Sequence, residues 1–183
     1  DRAYYEQVRA HPVDDGSDAE VAAWMIYLNR TGFNGLYRVN RRNAVNVPFG
    51  RYVNPNICDE PRLRACARQL KRAFIHEEGF EAVLERAEKN DLVYFDPPYV
   101  PLTKTSNFTS YTSRGFGRAE HERLAEVART LKRRKVKVVL SNSSAPLVRE
   151  LYRDFTLHEV QASRMVNSKA SARGAVTELL IVG

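Results

Sequence analysis

The chain has 183 residues, 43% of them hydrophobic, and a formal net charge of +7. That is enough apolar material for one sizeable core, or for a core with a smaller appended domain. The longest apolar run, Val21 to Leu28, is far too short to span a bilayer and the N-terminus has no signal-peptide pattern, so the expectation is a soluble, cytoplasmic protein. Cys58 and Cys66 stand at a spacing that matches no metal signature, and His11, His76, His121 and His158 are scattered, so neither a metal nor a disulfide is expected.

Residues 1–10 read as a polar helix, and Asp14-Asp15-Gly16-Ser17 as a turn. A second helix begins near Ser17 or Asp18, with Glu20 in its first turn, and carries Trp24, Met25 and Leu28 as a core helix. It ends in Asn29-Arg30-Thr31-Gly32-Phe33-Asn34-Gly35, whose two glycines and Asn34 suit a C-cap followed by a tight loop. Leu36 to Val47 alternates like a β-hairpin, with Arg41-Arg42-Asn43-Ala44 at its turn and Asn43 in a left-handed conformation. Pro48-Phe49-Gly50 ends it.

A helix over Pro61 to Lys71, a short strand at Ala73-Phe74-Ile75 and a helix over Phe80 to Lys89 follow. Asp91 to Phe95 then reads as a buried strand, stopped by Asp96-Pro97-Pro98-Tyr99. The connection from Val100 to Gly117 is long and rich in Thr and Ser, which suits a mobile functional loop. Beyond it come a helix from Arg118 to Arg134 and a strand from Val136 to Leu140. Ser141-Asn142-Ser143-Ser144 reads as a loop capping a helix over Ala145 to Arg153. Strands at Thr156 to Gln161 and Val176 to Val182 flank a basic loop with Arg164, Asn167, Ser168, Lys169 and Arg173. This alternation predicts an α/β fold: a parallel sheet covered by helices and closed by a hairpin of two strands.

Charge is concentrated. Between Arg30 and Arg72 ten basic residues face only Asp59 and Glu60, so the remainder of the chain is close to neutral. Such an excess is usually a solvated face. Interleaved with Phe33, Tyr37, Phe49 and Tyr52, it has the character of a surface for a polyanion, and nucleic acid suits it better than a membrane because no helix there is both strongly basic and amphipathic.

Pro97 and Pro98 cannot donate to a ladder and hold the chain extended as it leaves the sheet. They leave the Asp96 carboxylate, the Pro97 carbonyl and the Tyr99 ring at a strand end, where ligands of open α/β sheets bind. An acid and a ring there suit a flat ligand bearing an amino group. On these four residues alone a strand-terminating turn is an equal reading.

Asp-Pro-Pro-Tyr after a hydrophobic strand resembles the catalytic motif of S-adenosylmethionine-dependent enzymes that methylate exocyclic amino groups. Asn29 to Arg38, followed by Asn46-Val47-Pro48-Phe49-Gly50-Arg51-Tyr52, resembles the DNA-reading segment of the Dam family of adenine-N6 DNA methyltransferases. Asn107-Phe108-Thr109-x-Tyr111 follows in the order of that family, and the likeness covers nearly the whole chain.

The resemblance implies a partial Rossmann-like class I methyltransferase sheet with a helical plus β-hairpin DNA-recognition domain. Residues 1–58 would be the target-recognition domain and 59–183 the C-terminal part of the catalytic domain. It implies Asp96, Pro97, Pro98 and Tyr99 as catalytic residues, and S-adenosylmethionine as cofactor near Glu78, Gly79, Phe80 and Asp96, although a strand end with ordinary packing is an equal reading of Glu78 to Phe80. Phe33 would wedge into the base stack, its alternative being a hydrophobic plug on the preceding helix. Arg38 would read a guanine, with Leu36 and Pro48 near a thymine methyl. Asn34, Asn46, Arg51 and Tyr52 would touch phosphates or an outer base. Asn107, Tyr111, Arg164 and Ser168 complete the DNA-binding set.

The partner implied is double-stranded DNA at GATC-like sites, met by a monomer that extrudes the target adenine. The family's glycine-rich Phe-x-Gly-x-Gly loop has no counterpart here, since residues 1–30 hold only Gly16. The chain therefore reads as a fragment whose own cofactor binding is in question. Two competing readings are a methyltransferase for RNA or another exocyclic amine, and a sequence-specific DNA-binding fragment without catalysis.

Overall fold

A computed structural model describes residues 1–13, 15–40, 42–102, 116–163 and 175–183. The described residues form two compact units, 1–77 and those from Glu78 onward.

In the first unit, α1 (Arg2–Ala10) starts where the Asp1 carboxylate accepts the Tyr4 N–H at 2.9 Å. α2 (Asp18–Thr31) starts after Ser17, whose backbone N–H and hydroxyl both donate to Glu20 at 2.8 Å. Those two bonds, the backbone one first, hold the Glu20 carboxyl below its ordinary range. The expectation of a core helix for α2 needs correction, because only Leu28 and Thr31 on it are buried. Trp24 is half-buried and donates its indole N–H to the Val8 carbonyl at 2.8 Å. The interior of this unit is small, with Tyr5, Leu28, Val39 and Val47 its buried apolar side chains among the described residues. Among the described residues Val21, Trp24, Met25, Ile26 and Tyr27 on α2 are accordingly only half-buried.

The segment after α2 turns through Asn34 (φ 54°) and Gly35 (φ 62°), residue types that enter the left-handed region at low cost. The expected hairpin is a reversal without regular strands. Val39 bridges Val45, the Asn40 N–H donates to the Ala44 carbonyl at 2.9 Å, and Asn43 takes the left-handed conformation (φ 60°). The Asn40 side chain accepts the amides of Arg42 and Ala44, replacing a ladder with a local turn. A second bridge pairs Gly32 with Phe49. At Gly50 a Cβ would stand 2.9 Å from the carbonyl oxygens of Thr31 and Gly32, an approach that only glycine permits. The segment is fastened to α1: the Tyr5 hydroxyl and an Arg9 guanidinium N–H donate to the Val47 carbonyl at 2.9 and 2.8 Å, and Phe49 packs on Tyr5.

α3 (Glu60–Leu70) is capped by Asp59 and has Pro61 in its first turn. The strand expected at Ala73-Phe74-Ile75 is absent: Phe74 is 94% and Ile75 73% exposed. A strand persists only in a ladder, and none among the described residues receives this one.

In the second unit a 3-10 turn (Phe80–Ala82) leads to α4 (Val83–Arg86), which is shorter than the helix expected over Phe80 to Lys89. The Glu88 N–H donates to the Asp91 carboxylate at 2.9 Å rather than back along a helix. The sheet contains β1 (Leu92–Phe95), β2 (Lys137–Ser143), β3 (Thr156–Ser163) and β4 (Ala175–Val182) in the order β1-β2-β4-β3. Among the described strands β1 and β2 run parallel, and β3 and β4 pair antiparallel as the expected closing hairpin; the hairpin joins the sheet through β4, which lies between β2 and β3 and is antiparallel to both.

α5 (Arg118–Arg133) presents Leu124, Ala128 and Leu131 at helical spacing to the core, with Phe95, Val138, Leu140, Leu179 and Ile181 from the strands. α6 (Pro146–Leu151) adds Val148. β1 is not buried on both faces as expected. Phe95 is covered, whereas Leu92 (65%) and Tyr94 (58%) lie exposed on the opposite face, which no described helix covers.

His121 on α5 is 3% exposed, lies edge-on to Phe116, and neither ring nitrogen has a hydrogen-bond partner among the described residues. Burial holds its pKa below the ordinary 6.5, against a weaker opposing effect of Glu120. Below pH 6.5 the unfolded chain takes up a proton that the folded chain resists, so this contribution to stability is present above pH 6.5 and lost as pH falls. Thermal unfolding midpoints measured across this range are expected to drop on the acid side, and His121→Leu to flatten that drop.

Candidate active site

β1 ends at Phe95, and Asp96 follows with its carboxylate exposed, while Pro97 is buried and Pro98 and Tyr99 are half-buried. The acid is thus presented to solvent on a backbone packed beneath it. β2 runs three residues further than predicted, through Ser141, Asn142 and Ser143, and all three are buried. The loop expected at Ser141-Asn142-Ser143-Ser144 is therefore corrected: its first three residues pair with Leu180, Leu179 and Glu178 of β4.

These three residues surround the strand end. The Ser141 hydroxyl donates to Asp96 Oδ1 at 2.7 Å, and the Tyr94 hydroxyl donates to Ser141 Oγ at 3.1 Å. Asn142 Oδ1 accepts the Val100 N–H at 3.0 Å, and the Ser143 hydroxyl donates to the Val100 carbonyl at 2.6 Å. The chain is held on both sides of the two prolines. The Tyr99 hydroxyl lies 3.5 Å from Glu178 Oε2. Burial above all raises the Tyr99 phenol pKa; the hydrogen bond with Ser141 opposes this, and the carboxylates of Glu178 and Asp96 add to it. The phenol keeps its proton at neutral pH, leaving a neutral ring beside an exposed carboxylate. Such a pair can accept hydrogen bonds from an amino group and stack against a planar ring.

Ser141, Asn142 and Ser143 were missed in the sequence because Ser and Asn before a helix read as caps. The available signal was the lack of any break between Leu140 and Ser141.

Glu78, Gly79 and Phe80 are in kind the groups that would suit an adenosyl moiety, a carboxylate for hydroxyls and a ring for a base. Both side chains are engaged otherwise: Arg86 bonds both Glu78 oxygens at 2.6 Å, and Phe80 packs on Phe116 and beneath Arg123. They offer one wall of a cofactor site at most.

In the first unit the segment from Gly32 to Tyr52 carries Phe33, Asn34, Leu36, Arg38, Asn46, Pro48, Arg51 and Tyr52. Phe33 is 45% exposed and donates its N–H to the Pro48 carbonyl at 2.8 Å. Arg38 and Asn46 are joined: Arg38 Nε donates to Asn46 Oδ1 at 2.7 Å and Nη2 to the Asn46 carbonyl at 3.3 Å. Asn34, Arg38, Asn46, Pro48, Arg51 and Tyr52 are exposed, and Leu36 is half-buried. Of the basic run, Arg62 and Arg64 pair with Asp59 and Glu60 on α3. Asn107, Tyr111, Arg164 and Ser168 lie outside the described residues.

Both cysteines are exposed free thiols. Among the described residues no group of three or more His, Cys, Asp or Glu could hold a metal ion, and no helix is long and apolar enough to cross a membrane.

The family described as D12 class N6 adenine-specific DNA methyltransferase matches residues 1–166. A type II methyltransferase, M1.LlaDCHI, of Lactococcus lactis subsp. cremoris is 42% identical over 98% of this chain and 66% of its own length. A type II methyltransferase, M.MjaIII, of Methanocaldococcus jannaschii is 44% identical over 92% of this chain and 59% of its own. A DNA adenine methylase of Escherichia coli is 41% identical over 87% of this chain and 57% of its own. The chain thus spans between 57% and 66% of the length of these relatives.

Proposed function

Because this chain belongs to the D12 class N6 adenine-specific DNA methyltransferases, we propose that it is the DNA-reading and base-accepting part of an enzyme that methylates adenine N6 in duplex DNA. The reading extends to GATC-like sites, extrusion of the target adenine, and action as a cytoplasmic monomer. The observation that carries it is the exposed Asp96 carboxylate at the end of β1, held by Ser141 beside the Tyr99 ring. The four strands would be the C-terminal part of a Rossmann-like class I methyltransferase sheet, supported by the parallel β1–β2 pair with the acid at its carboxyl end. Residues 1–58 would recognise the target and 59–183 belong to the catalytic domain.

Adenine N6 is a poor nucleophile because its lone pair is spread into the ring. The Asp96 carboxylate and the Pro97 carbonyl accept the two amino hydrogens, orienting the nitrogen and favouring the pyramidal geometry needed for attack. Tyr99 stacks on the extruded base and excludes water from its face. Asp96 need not be a strong base, since the methylated ammonium is acidic enough to lose its proton afterwards. S-adenosylmethionine supplies an electrophilic methyl group, with Glu78, Gly79, Phe80 and Asp96 on one side of its site. In the first unit Arg38 reads a guanine, Leu36 and Pro48 meet a thymine methyl, and Phe33 wedges into the stack, while Asn34, Asn46, Arg51 and Tyr52 contact phosphates or an outer base.

The test is incorporation of labelled methyl from S-adenosylmethionine into a GATC duplex, into the same duplex with the adenine replaced, and into structured RNA. Transfer confined to the GATC duplex is expected of the intact enzyme that carries this chain. Transfer to RNA, or to both duplexes equally, would overturn the reading.

A further inference from the structure

We propose that Ser141 is a positioning residue for Asp96, setting the direction in which the carboxylate faces the substrate amino group; this rests on the catalytic reading of Asp96 above. Asp96 is exposed, and the carboxylate torsion of an aspartate is broad, so without a second anchor its two oxygens would sample many directions. Ser141 supplies that anchor. It lies in β2, paired with Leu180 of β4, and is only 9% exposed, so its Oγ stands on a fixed backbone.

The hydroxyl has one proton to give and gives it to Asp96 Oδ1 at 2.7 Å. Its lone pairs receive the Tyr94 hydroxyl at 3.1 Å, and Tyr99 is a further hydrogen-bond neighbour; Asp96 Oδ1, the shortest contact, is the acceptor of the serine proton. Register makes the chain of bonds possible: Tyr94 pairs with Val139, and Ser141 is two residues further along the same face of β2. With Oδ1 anchored by Ser141, the carboxylate plane is fixed and Oδ2 keeps its acceptor sites open for the amino group. Asn142 and Ser143 hold Val100 separately, so the loop backbone does not depend on Ser141. Removing the Ser141 hydroxyl therefore frees the carboxylate and ends its bond with Tyr99, whose phenol keeps Glu178 as a neighbour, while Val100 stays held.

The experiment uses the intact enzyme that carries this chain, with steady-state kinetics, duplex binding and thermal unfolding measured on each variant. Ser141→Ala is expected to lower kcat by about 10- to 100-fold, with KM for DNA and for S-adenosylmethionine and the duplex Kd unchanged. Ser141→Thr, which keeps the hydroxyl on a residue suited to strands, restores most of the rate. Tyr94→Phe, at an exposed position where folding is not at stake, gives a smaller loss of the same kind.

Asp96→Ala with Ser141→Ala is expected to be no slower than Asp96→Ala alone, because both act through one group. Wild-type kcat in both Ser141→Ala and Tyr94→Phe, with Asp96→Ala inactive, would overturn the positioning role alone. Losses shared equally by Ser141→Ala and Ser141→Thr, together with a lowered unfolding midpoint and an unaffected Tyr94→Phe, would show Ser141 to be structural only. Wild-type transfer by Asp96→Ala would instead sink the catalytic reading itself.

Discussion

Asp96→Ala is expected to abolish methyl transfer while leaving duplex binding intact. The carboxylate is exposed at the end of β1, so its loss opens no cavity, and Pro97, buried beside it, retains its packing. What is removed is the acceptor that orients the amino nitrogen. Groups of this kind contribute about 10²- to 10⁴-fold to rate, and a loss of that size in a single-turnover assay is expected. The proposed base-reading and phosphate contacts of Phe33 to Tyr52 belong to the first unit and do not involve Asp96, so fluorescence anisotropy should report an unchanged Kd at fixed salt. Asp96→Asn keeps one acceptor oxygen and should fall between the two. A wild-type rate for Asp96→Ala would remove the basis for treating this strand end as an active site.

Arg38→Ala is expected to relax discrimination at one base pair, by about 1–3 kcal/mol there, rather than to weaken all sequences alike. Asn46 takes Arg38 Nε at 2.7 Å through its side chain, and its backbone carbonyl lies 3.3 Å from Nη2. These two bonds fix the plane of the guanidinium of this exposed residue. A planar fork held in that way can meet the two acceptors of a guanine edge without first losing its rotamer freedom. Asn46→Ala should therefore produce a weaker version of the same relaxation. Competition binding against duplexes changed one base pair at a time measures both. An equal loss on every sequence, with the salt dependence reduced by about one ion, would make Arg38 a phosphate contact instead.

Local chemistry carried much of the sequence reading. Ser17 and Glu20 mark the start of α2, and Asn43 marks the left-handed turn. Each depends on residues a few positions apart, where the spacing is nearly the geometry. Asp96-Pro97-Pro98-Tyr99 was legible for the same reason, since two prolines end a strand whatever surrounds it. Together with the order of the motifs around it, it was also enough to indicate the family.

Tertiary structure alone decided that Ser141, Asn142 and Ser143 continue β2 and close around Asp96 and Val100. Their partners are 40 or more positions away in the chain, on β1 and the segment after it. It also decided that Ala73 to Ile75 form no strand and that the closing hairpin joins the sheet through β4, between β2 and β3. A short run of Ser and Asn, or of Phe and Ile, has no conformation of its own strong enough to resist its neighbours. Which backbone partner lies opposite it, and so whether it becomes strand or coil, is a property of the assembled sheet.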